Sequence, residues 1–197
     1  TQSRSSAASD VYKRQGQGYM QATPLQLAQA TALIANKGVW NRPHLAKTIE
    51  GLPPVDDNPM EDIVLRDKSD WAKVTHGMEQ VMHNARGTAR KAAAGAQYRI
   101  AGKSGTAQVV AIKQGEKYDR NKLQERHRDH ALFVAFAPAE DPKIVVSVMV
   151  ENGESGSGVA APVVRQIMDA WLLDENGRLK PCLLYTSDAA DDRLCVD

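Results

Sequence analysis

The run GKSGTAQV, which begins at residue 102, combines groups that could do chemistry. Lys103 supplies a cation, Ser104 and Thr106 supply hydroxyls, and Gly105 between them has no side chain. Apolar Val109–Ile112 follow, so the pattern indicates a strand with polar groups at one end. A strand that carries glycine at its centre usually allows a ligand or another backbone to approach closely. We interpret the run as one wall of an acyl-transfer site from which the wall bearing the nucleophile is missing.

The same residues invite comparison with a phosphate-binding loop. That motif needs a second glycine five residues before the glycine that precedes its lysine, because backbone N–H groups across the loop cradle the phosphates. Gln97 occupies that position, and the nearest glycine is Gly95. The lysine of such a loop also opens a helix, whereas Lys103 begins a strand. The sequence therefore argues against a phosphate-binding loop.

Two helices are predicted ahead of this strand, and they are the first elements that could position it. Thr23 is the predicted N-cap of the first helix, Pro24 lies in its first turn, and Gly38 marks its end. The second helix is predicted to be capped by Ser69 and to run to about Asn84, because apolar residues recur there at helical spacing.

Strands are predicted on both sides of the central run. Ile63–Leu65 is a short candidate, and Ala131–Ala137 and Lys143–Glu151 form a predicted hairpin. A glycine-rich stretch, Asn152–Gly158, is predicted to be a flexible loop, and a closing helix is predicted from Pro162 to about Leu173. Helices, then three strands, then a helix indicate the α+β (mixed) class, an antiparallel sheet with helices packed on it.

Composition favours one soluble globular domain, or a large piece of one. The 197 residues are 42% hydrophobic and 25% charged, with a net charge of +1. That balance gives no electrostatic case for binding nucleic acid or an anionic membrane. No apolar run approaches the ~18 residues of a membrane span, and no secretory signal is visible.

The two ends of the chain look foreign to the rest. Ser5–Gln15 and Cys182–Asp191 resemble translations of the two strands of one sequencing adaptor. Residues 1–15 and 182–197 are therefore excluded from the predicted domain as non-native tails. Both cysteines lie in the second tail, so residues 16–181 are expected to form no disulfide and no cysteine-ligated metal site.

A charged stretch and a pair of histidines are two further candidate functional features. The charged stretch Lys113–His130 is long for a connection between strands, and could be a lid, a partner contact or a solvated excursion. His76 and His83 lie seven residues apart on one helix face, but no third ligand has suitable spacing. We predict no metal site and assign both histidines to the surface or to structural hydrogen bonds.

The order of several short motifs resembles the C-terminal half of a transpeptidase domain of class B penicillin-binding proteins. The resemblance is most specific to the enzymes of the rod-shape elongation machinery of Gram-negative bacteria, through Arg126–His130 ahead of a strand. It covers nearly all of residues 16–173, and the other matching segments are Gly16–Tyr19, Ala22–Gln26, Gly87–Ala89, Lys103–Gln108, Val150–Gly153 and Ala161–Val164.

The resemblance implies a role for each residue of the central run. Lys103 would supply positive potential for a substrate carboxylate and for the anion formed during acylation. The hydroxyls of Ser104 and Thr106 would bind that carboxylate, and Gly105 would let the acyl chain lie against the strand. The backbone N–H of Thr106 would be one of two oxyanion donors, and a peptide could pair along the strand edge.

The family also implies a reaction, a location and partners. A serine of the whole enzyme attacks the D-Ala-D-Ala end of a peptidoglycan stem peptide, and the acyl-enzyme passes to an amine of a neighbouring stem. β-Lactams acylate the same serine, and no cofactor is required. The parent would be anchored in the inner membrane with this domain in the periplasm, and it would work with a polymerising glycosyltransferase and other elongation-complex proteins.

The nucleophile motif of that mechanism is missing. It needs Ser-x-x-Lys, in which the lysine activates the serine, and Ser-x-Asn, which relays protons. No serine of residues 16–181 has lysine three residues on or asparagine two residues on; those serines are Ser69, Ser104, Ser147, Ser155 and Ser157. We therefore expect the parent to be a serine D,D-transpeptidase and this chain alone to be inactive. A penicillin-recognising sensor, a β-lactamase relative and a D-Ala-D-Ala peptide-binding module stay as alternatives.

Overall fold

A computed structural model of the chain describes residues 21–45, 61–110 and 123–181. Within these ranges it has four α-helices, one sheet of three strands, a 3₁₀ turn at Glu125–His127 and a π-helical turn at Gly156–Ala160. The helices are α1 (Pro24–Ala35), α2 (Ser69–His83), α3 (Arg90–Ala93) and α4 (Ala161–Leu172), and the strands are β1 (Ala101–Ala107), β2 (His130–Ala137) and β3 (Ile144–Val150). This order confirms the predicted α+β class.

The ends of α1 are where the sequence predicts them. The Thr23 hydroxyl accepts the Gln26 N–H at 3.2 Å, and the Gln26 side chain accepts the Thr23 N–H at 2.8 Å, which is a complete capping box. Gly38 follows the helix with φ of +99°, a conformation that favours glycine. A methyl group on Gly38 would also lie 2.3 Å from the Ile63 carbonyl oxygen.

Two predictions around α2 are wrong. Ile63–Leu65 does not form a strand, since the backbone bond from the Ile63 N–H to the Gly38 carbonyl is not continued into a ladder. Ser69 is the first residue of α2 and not its cap; the Asp67 carboxylate accepts the Ser69 N–H at 2.9 Å instead. The helix itself is confirmed, and it buries Met78.

The three strands form an antiparallel sheet in the order β1-β2-β3, which confirms the predicted hairpin of β2 and β3. Gly105 pairs with Leu132, and Thr106 pairs with Ala131. β1 ends at Ala107, so the predicted apolar continuation is wrong for 109–110, which form a bend. Residues 111–112, like most of the predicted loop 113–130, lie outside the described residues.

The sheet is covered on both faces. Because side chains alternate along a strand, Phe133 and Phe136 lie on opposite faces. Phe133 belongs to the larger core with Val164, Met168 and Leu172 of α4, and we call this side the α4 face. Phe136 packs in a smaller core with Ala35 of α1, and this side is the α1 face.

A polar network fixes α4 against the segment that leads into β1. The buried Tyr98 hydroxyl donates to Asp169 at 2.7 Å, and Arg165 Nε donates to both Asp169 oxygens at 2.7 and 2.8 Å. The Arg165 guanidinium also reaches the Ala94 carbonyl at 3.1 Å and lies 5.8 Å from the centre of the Tyr98 ring. None of the described helices is both long and apolar enough to cross a membrane.

Candidate active site

The predicted site residues lie together on β1, which is an edge strand among the described residues. Ser104 and Thr106 pair with Phe133 and Ala131, so their side chains lie on the α4 face, half-buried. Lys103 lies on the opposite face and is exposed. The structure therefore brings the two hydroxyls together and sets the cation across the strand from them.

The contacts of Gly156 show which backbone groups of β1 point toward β2 and which point to the outer edge. A methyl built on Gly156 would lie 2.7 Å from the Gly105 carbonyl oxygen and 2.4 Å from that of Leu132. Both oxygens are thus close to one point, which requires the Gly105 carbonyl to face β2 inside the ladder. In a trans peptide the N–H points away from the carbonyl, so the Thr106 N–H points to the outer edge.

The cation also reaches that edge. Lys103 Nζ donates to the Ser104 carbonyl at 2.7 Å. Since backbone groups alternate in direction along a strand, the Ser104 carbonyl faces outward like the Thr106 N–H. A positive charge and the outward-facing backbone N–H and C=O groups of Ser104 and Thr106 therefore line the edge of β1 that no described strand pairs with, and the two hydroxyls lie beside them. This arrangement could bind an anionic, extended peptide as an added strand.

The site glycine leaves one face of the strand bare. A methyl group on Gly105 would lie on the α1 face, 3.3 Å from the Leu132 Cβ, with no other described atom within 4 Å. The α4 face is packed tightly by comparison, because a methyl group on Gly102 would lie 2.7 Å from the ring of the fully buried Phe133. At Gly105 the strand is thus open on the α1 face among the described residues, whereas at Gly102 it is packed on the α4 face.

Helix α2 holds the beginning of β1. The Ile100 N–H, one residue before the strand, donates to His83 Nε2 at 2.9 Å. Burial, followed by the nearby Arg99 cation, lowers the pKa of His83 below its ordinary value of 6.5. Nε2 carries no proton in this arrangement because it accepts the Ile100 N–H, and Arg99 pairs with Glu79 of the same helix. His83 is a structural histidine, as predicted, and no described group of three His, Cys, Asp or Glu side chains could hold a metal ion.

The other end of β1 meets the segment before β2. The Val109 N–H donates to Asp129 Oδ1 at 3.4 Å, and Asp129 is buried. Burial raises the pKa of the Asp129 carboxyl. The Glu154 N–H donates to the Asp129 carbonyl at 2.9 Å, so one residue joins the end of β1 to the loop after β3.

The loop 152–158, predicted to be flexible, is fixed by hydrogen bonds. The Asn152 N–H donates to His130 Nδ1 at 2.9 Å, and its side-chain amide donates to the Arg128 carbonyl at 2.8 Å. Asn152 and Glu154 both have positive φ, 56° and 60°, which is strained for glutamate. The predicted flexibility of this loop is therefore wrong, because its glycines allow close contact with the sheet, which residue types alone do not distinguish from flexibility.

Two open clefts lie away from β1. One, of about 410 Å³, is lined by Arg86, Arg90, Lys91 and the start of α4. The other, of about 680 Å³, is lined by residues of 124–126 and 151–152. Neither of these two clefts is lined by a residue of the 103–106 run, so the candidate site on β1 is separate from both.

Comparison with known proteins decides the family. A sequence model described as "Penicillin binding protein transpeptidase domain" matches residues 2–169. The chain belongs to this family. The match begins inside the first predicted tail, and the non-native origin of residues 1–15 and 182–197 stays a prediction.

Individual relatives refine the resemblance within the family. Peptidoglycan D,D-transpeptidase MrdA of Haemophilus influenzae is 49% identical over 80% of this chain and 25% of its own length. The crystal structure of Pseudomonas aeruginosa PBP2 in complex with WCK 5153 is 65% identical with a TM-score of 0.74, over 88% of this chain and 35% of that chain. A Helicobacter pylori PBP2 in complex with MreC is 34% identical with a TM-score of 0.59, over 76% of this chain and 25% of that one. These relatives confirm the resemblance to penicillin-binding protein 2.

The chain spans about a quarter of the length of the curated relatives that it matches. In this chain β1 carries the Lys-Ser-Gly run, and the helices and antiparallel sheet agree with the partial transpeptidase fold predicted from the sequence.

Proposed function

We propose that this chain is the C-terminal part of the transpeptidase domain of a peptidoglycan D,D-transpeptidase, and that β1 is its substrate strand. The observation that carries the proposal is the open edge of β1, where Lys103 and the Thr106 N–H lie beside two hydroxyls in a chain of this family. The name of the H. influenzae relative supports the same activity.

The proposed substrate is a stem peptide that ends in D-Ala-D-Ala. Its terminal carboxylate accepts hydrogen bonds from the hydroxyls of Ser104 and Thr106 and is attracted by the positive charge of Lys103. Hydrogen bonds to a charged carboxylate are stronger than those between neutral groups. Its backbone pairs with the Ser104 carbonyl at the edge of β1. Gly105 leaves space for the acyl chain on the strand, since a side chain there would project from the bare face.

The chemistry is acyl transfer. A serine from a part of the enzyme that this sequence lacks attacks the carbonyl carbon of the penultimate D-alanine, and the carbonyl oxygen becomes an oxyanion. The Thr106 N–H stabilises that oxyanion, a contribution of ~3–4 kcal/mol by analogy with measured oxyanion donors. The C–N bond breaks and protonated D-alanine leaves. An amine of a second stem then attacks the ester and releases the serine.

The first test uses covalent labelling with a fluorescent penicillin. We expect this chain alone to form no adduct that survives denaturation, because its 197 residues contain no Ser-x-x-Lys. The same region expressed with its upstream coding sequence should form the adduct. An adduct on the 197-residue chain, or none on the longer protein, would contradict the proposal. Binding of a D-Ala-D-Ala peptide by the short chain without turnover would instead support the peptide-binding module as its own activity.

The second test asks whether a side chain of β1 takes part in substrate binding. In the longer protein, Thr106→Val should slow acylation by ~10–100-fold, the equivalent of losing one hydrogen bond to a charged group. Ser147→Ala is the matched control, because Ser147 is a half-buried serine on β3, across the sheet from the edge of β1. Equal acylation by Thr106→Val and the unaltered protein would exclude the Thr106 hydroxyl from binding the carboxylate.

The location and partners of the whole enzyme belong to the same proposal. An enzyme that crosslinks stem peptides must meet peptidoglycan, so we place this domain in the periplasm and its anchor in the inner membrane. The expected partners are a polymerising glycosyltransferase and elongation-complex proteins, and the H. pylori complex supports an MreC-type partner. Fractionation of cells producing the tagged longer protein should place it in the membrane fraction, with the domain accessible to added protease only after the outer membrane is opened.

A further inference from the structure

We infer that Gly156, in the π-helical turn before α4, is a positioning residue for the oxyanion donor on β1. This inference rests on the proposed function of β1. Gly156 is buried and lies over the β1–β2 ladder at the pair formed by Gly105 and Leu132. A methyl group on it would lie 2.4 Å from the Leu132 oxygen, 2.7 Å from the Gly105 oxygen and 3.2 Å from the Gly105 nitrogen.

Glycine at this position is explained by the contact and not by backbone conformation. The glycines with positive φ among the described residues are Gly38, Gly95 and Gly177, and Gly156 is not one of them. An alanine at 156 could therefore adopt the backbone angles, but its methyl group would overlap two carbonyl oxygens. Backbone atoms cannot swing away as a flexible side chain can, so the strand itself would have to move.

The atoms that would move belong to the reacting part of the site. The Gly105 carbonyl and the Thr106 N–H are the two ends of one planar peptide group. Pressure on the carbonyl from the α4 face therefore tilts or shifts the N–H at the outer edge. Gly156 does not touch substrate in this arrangement; it acts on the oxyanion donor through the peptide group that it supports.

The loop that carries Gly156 is built to hold it there. Asn152 is bonded to Arg128 and His130, and the Glu154 N–H is bonded to the Asp129 carbonyl. Within the turn, Ser155 Oγ accepts the Gly158 N–H at 3.0 Å, a local bond that does not reach the ladder. The segment before β2 and the ladder thus hold the loop at both ends. The loop reaches this position with positive φ at Asn152 and Glu154, which costs conformational energy.

The test compares Gly156→Ala with Gly158→Ala in the longer, serine-containing protein. A methyl group on Gly158 would displace the Ser155 hydroxyl, with Oγ at 2.8 Å, but would meet no atom of the β1–β2 ladder, so this variant separates a local change in the turn from pressure on β1. For Gly156→Ala we expect the acylation rate constant for penicillin to fall roughly 10–1000-fold, the range for a misplaced or lost oxyanion donor. The dissociation constant of the non-covalent complex should stay within about threefold, because the side chains that bind the carboxylate are intact.

Gly158→Ala should keep both constants within about threefold of the unaltered protein. An acylation rate constant that is unchanged in Gly156→Ala overturns the inference. So does a rise in the dissociation constant that matches the fall in rate, or an equal loss in Gly158→Ala, because either result indicates general disruption of the fold.

If Gly156→Ala does not fold, Asn152→Gly tests the positioning role of the loop instead. Glycine keeps the positive φ at 152 but removes the side-chain bond to the Arg128 carbonyl, so the loop is loosened without a clash. We expect a severalfold slower acylation at an unchanged dissociation constant, and an unchanged rate overturns the inference.

A readout without chemistry separates this inference from the proposed function. The amide resonance of Thr106 in the longer protein should shift in Gly156→Ala and not in Gly158→Ala, whether or not penicillin reacts. An unshifted Thr106 resonance overturns the positioning role. Absence of acylation in the unaltered protein overturns the proposed function instead.

Discussion

The network of Tyr98, Asp169 and Arg165 allows a quantitative prediction about what holds β1 in place. Tyr98 is 6% exposed, and the Arg165 and Asp169 side chains are 16% and 33% exposed. The carboxylate accepts three hydrogen bonds of 2.7–2.8 Å from the other two residues. Because Tyr98 is only three residues ahead of β1, this network ties the strand to α4.

Tyr98→Phe removes one hydrogen bond to a charged acceptor. Such bonds contribute about 1.5–3 kcal/mol to the free energy of unfolding, and we take the lower end because Asp169 is one-third exposed and keeps Arg165. Asp169→Ala leaves the Arg165 charge and the buried phenol hydroxyl without their acceptor. Breaking a buried pair costs about 3–5 kcal/mol, and the bonds from Arg165 to the Ala92 and Ala94 carbonyls again favour the lower end.

Urea unfolding, followed by tryptophan fluorescence, measures these losses in the two single variants and the double variant. Once Asp169 is gone the phenol has no acceptor to lose, so the double variant should be little less stable than Asp169→Ala. We expect a coupling energy of about 1–1.5 kcal/mol between the two positions. A coupling energy near zero would show that the phenol and the carboxylate do not interact, and would refute the reasoning.

The same network predicts a pH dependence at high pH. Burial, then the hydrogen bond to Asp169, raises the pKa of Tyr98 above its ordinary value of 10.0. The folded chain then keeps a proton that the unfolded chain loses, so this contribution to stability is complete below pH 10 and declines above it. Tyr98→Phe should lack that decline, and an equal decline in both proteins would contradict the assignment.

Two other predictions concern the supports of β1. Because the pKa of His83 is lowered in the folded chain, stability should fall as pH drops below 6.5, where the unfolded chain gains a proton first. His83→Gln should reduce that fall in urea midpoints from about pH 7.5 to about pH 5.5, while His76→Gln, at an exposed position, should not. Gly102→Ala should cost about 1–3 kcal/mol in urea unfolding, since its methyl group meets the Phe133 ring. Gly77→Ala, with open space around it in α2, should instead stabilise the chain by about 0.5–1 kcal/mol. Equal changes in the free energy of unfolding for Gly102→Ala and Gly77→Ala would exclude the contact with the Phe133 ring as the cause of the loss.

The candidate site depends on contacts that no short window of sequence contains. Gly156 and Gly105 are distant in the chain, and their contact arises because α4 returns the turn to the ladder. His83 and Ile100 are joined in the same way by the packing of α2 on β1. A glycine-rich stretch has the same composition whether it is a free loop or a close contact, so its role could not be read from residue types.

Signals between residues close in the chain were sufficient to predict several elements. The capping box at Thr23, the left-handed Gly38 and the apolar strands β2 and β3 depend on residues close to one another, and their predicted positions agree with the structure to within a residue or two. The family could also be predicted from the sequence, because several motifs occur in the expected order over a long stretch of residues and the prediction does not depend on one tripeptide.

Contacts between distant segments determine which apolar segments become strands and where the site strand ends. Ile63–Leu65 has strand composition but no partner in the sheet, and backbone groups form a strand only when another strand pairs with them. β1 ends at Ala107 for the same reason, since its ladder with β2 begins at His130. The residue types of the Lys-Ser-Gly run determined which groups the site contains, and the ladder decided that the Thr106 N–H faces the open edge, because pairing with β2 fixes the direction of every backbone group on the strand.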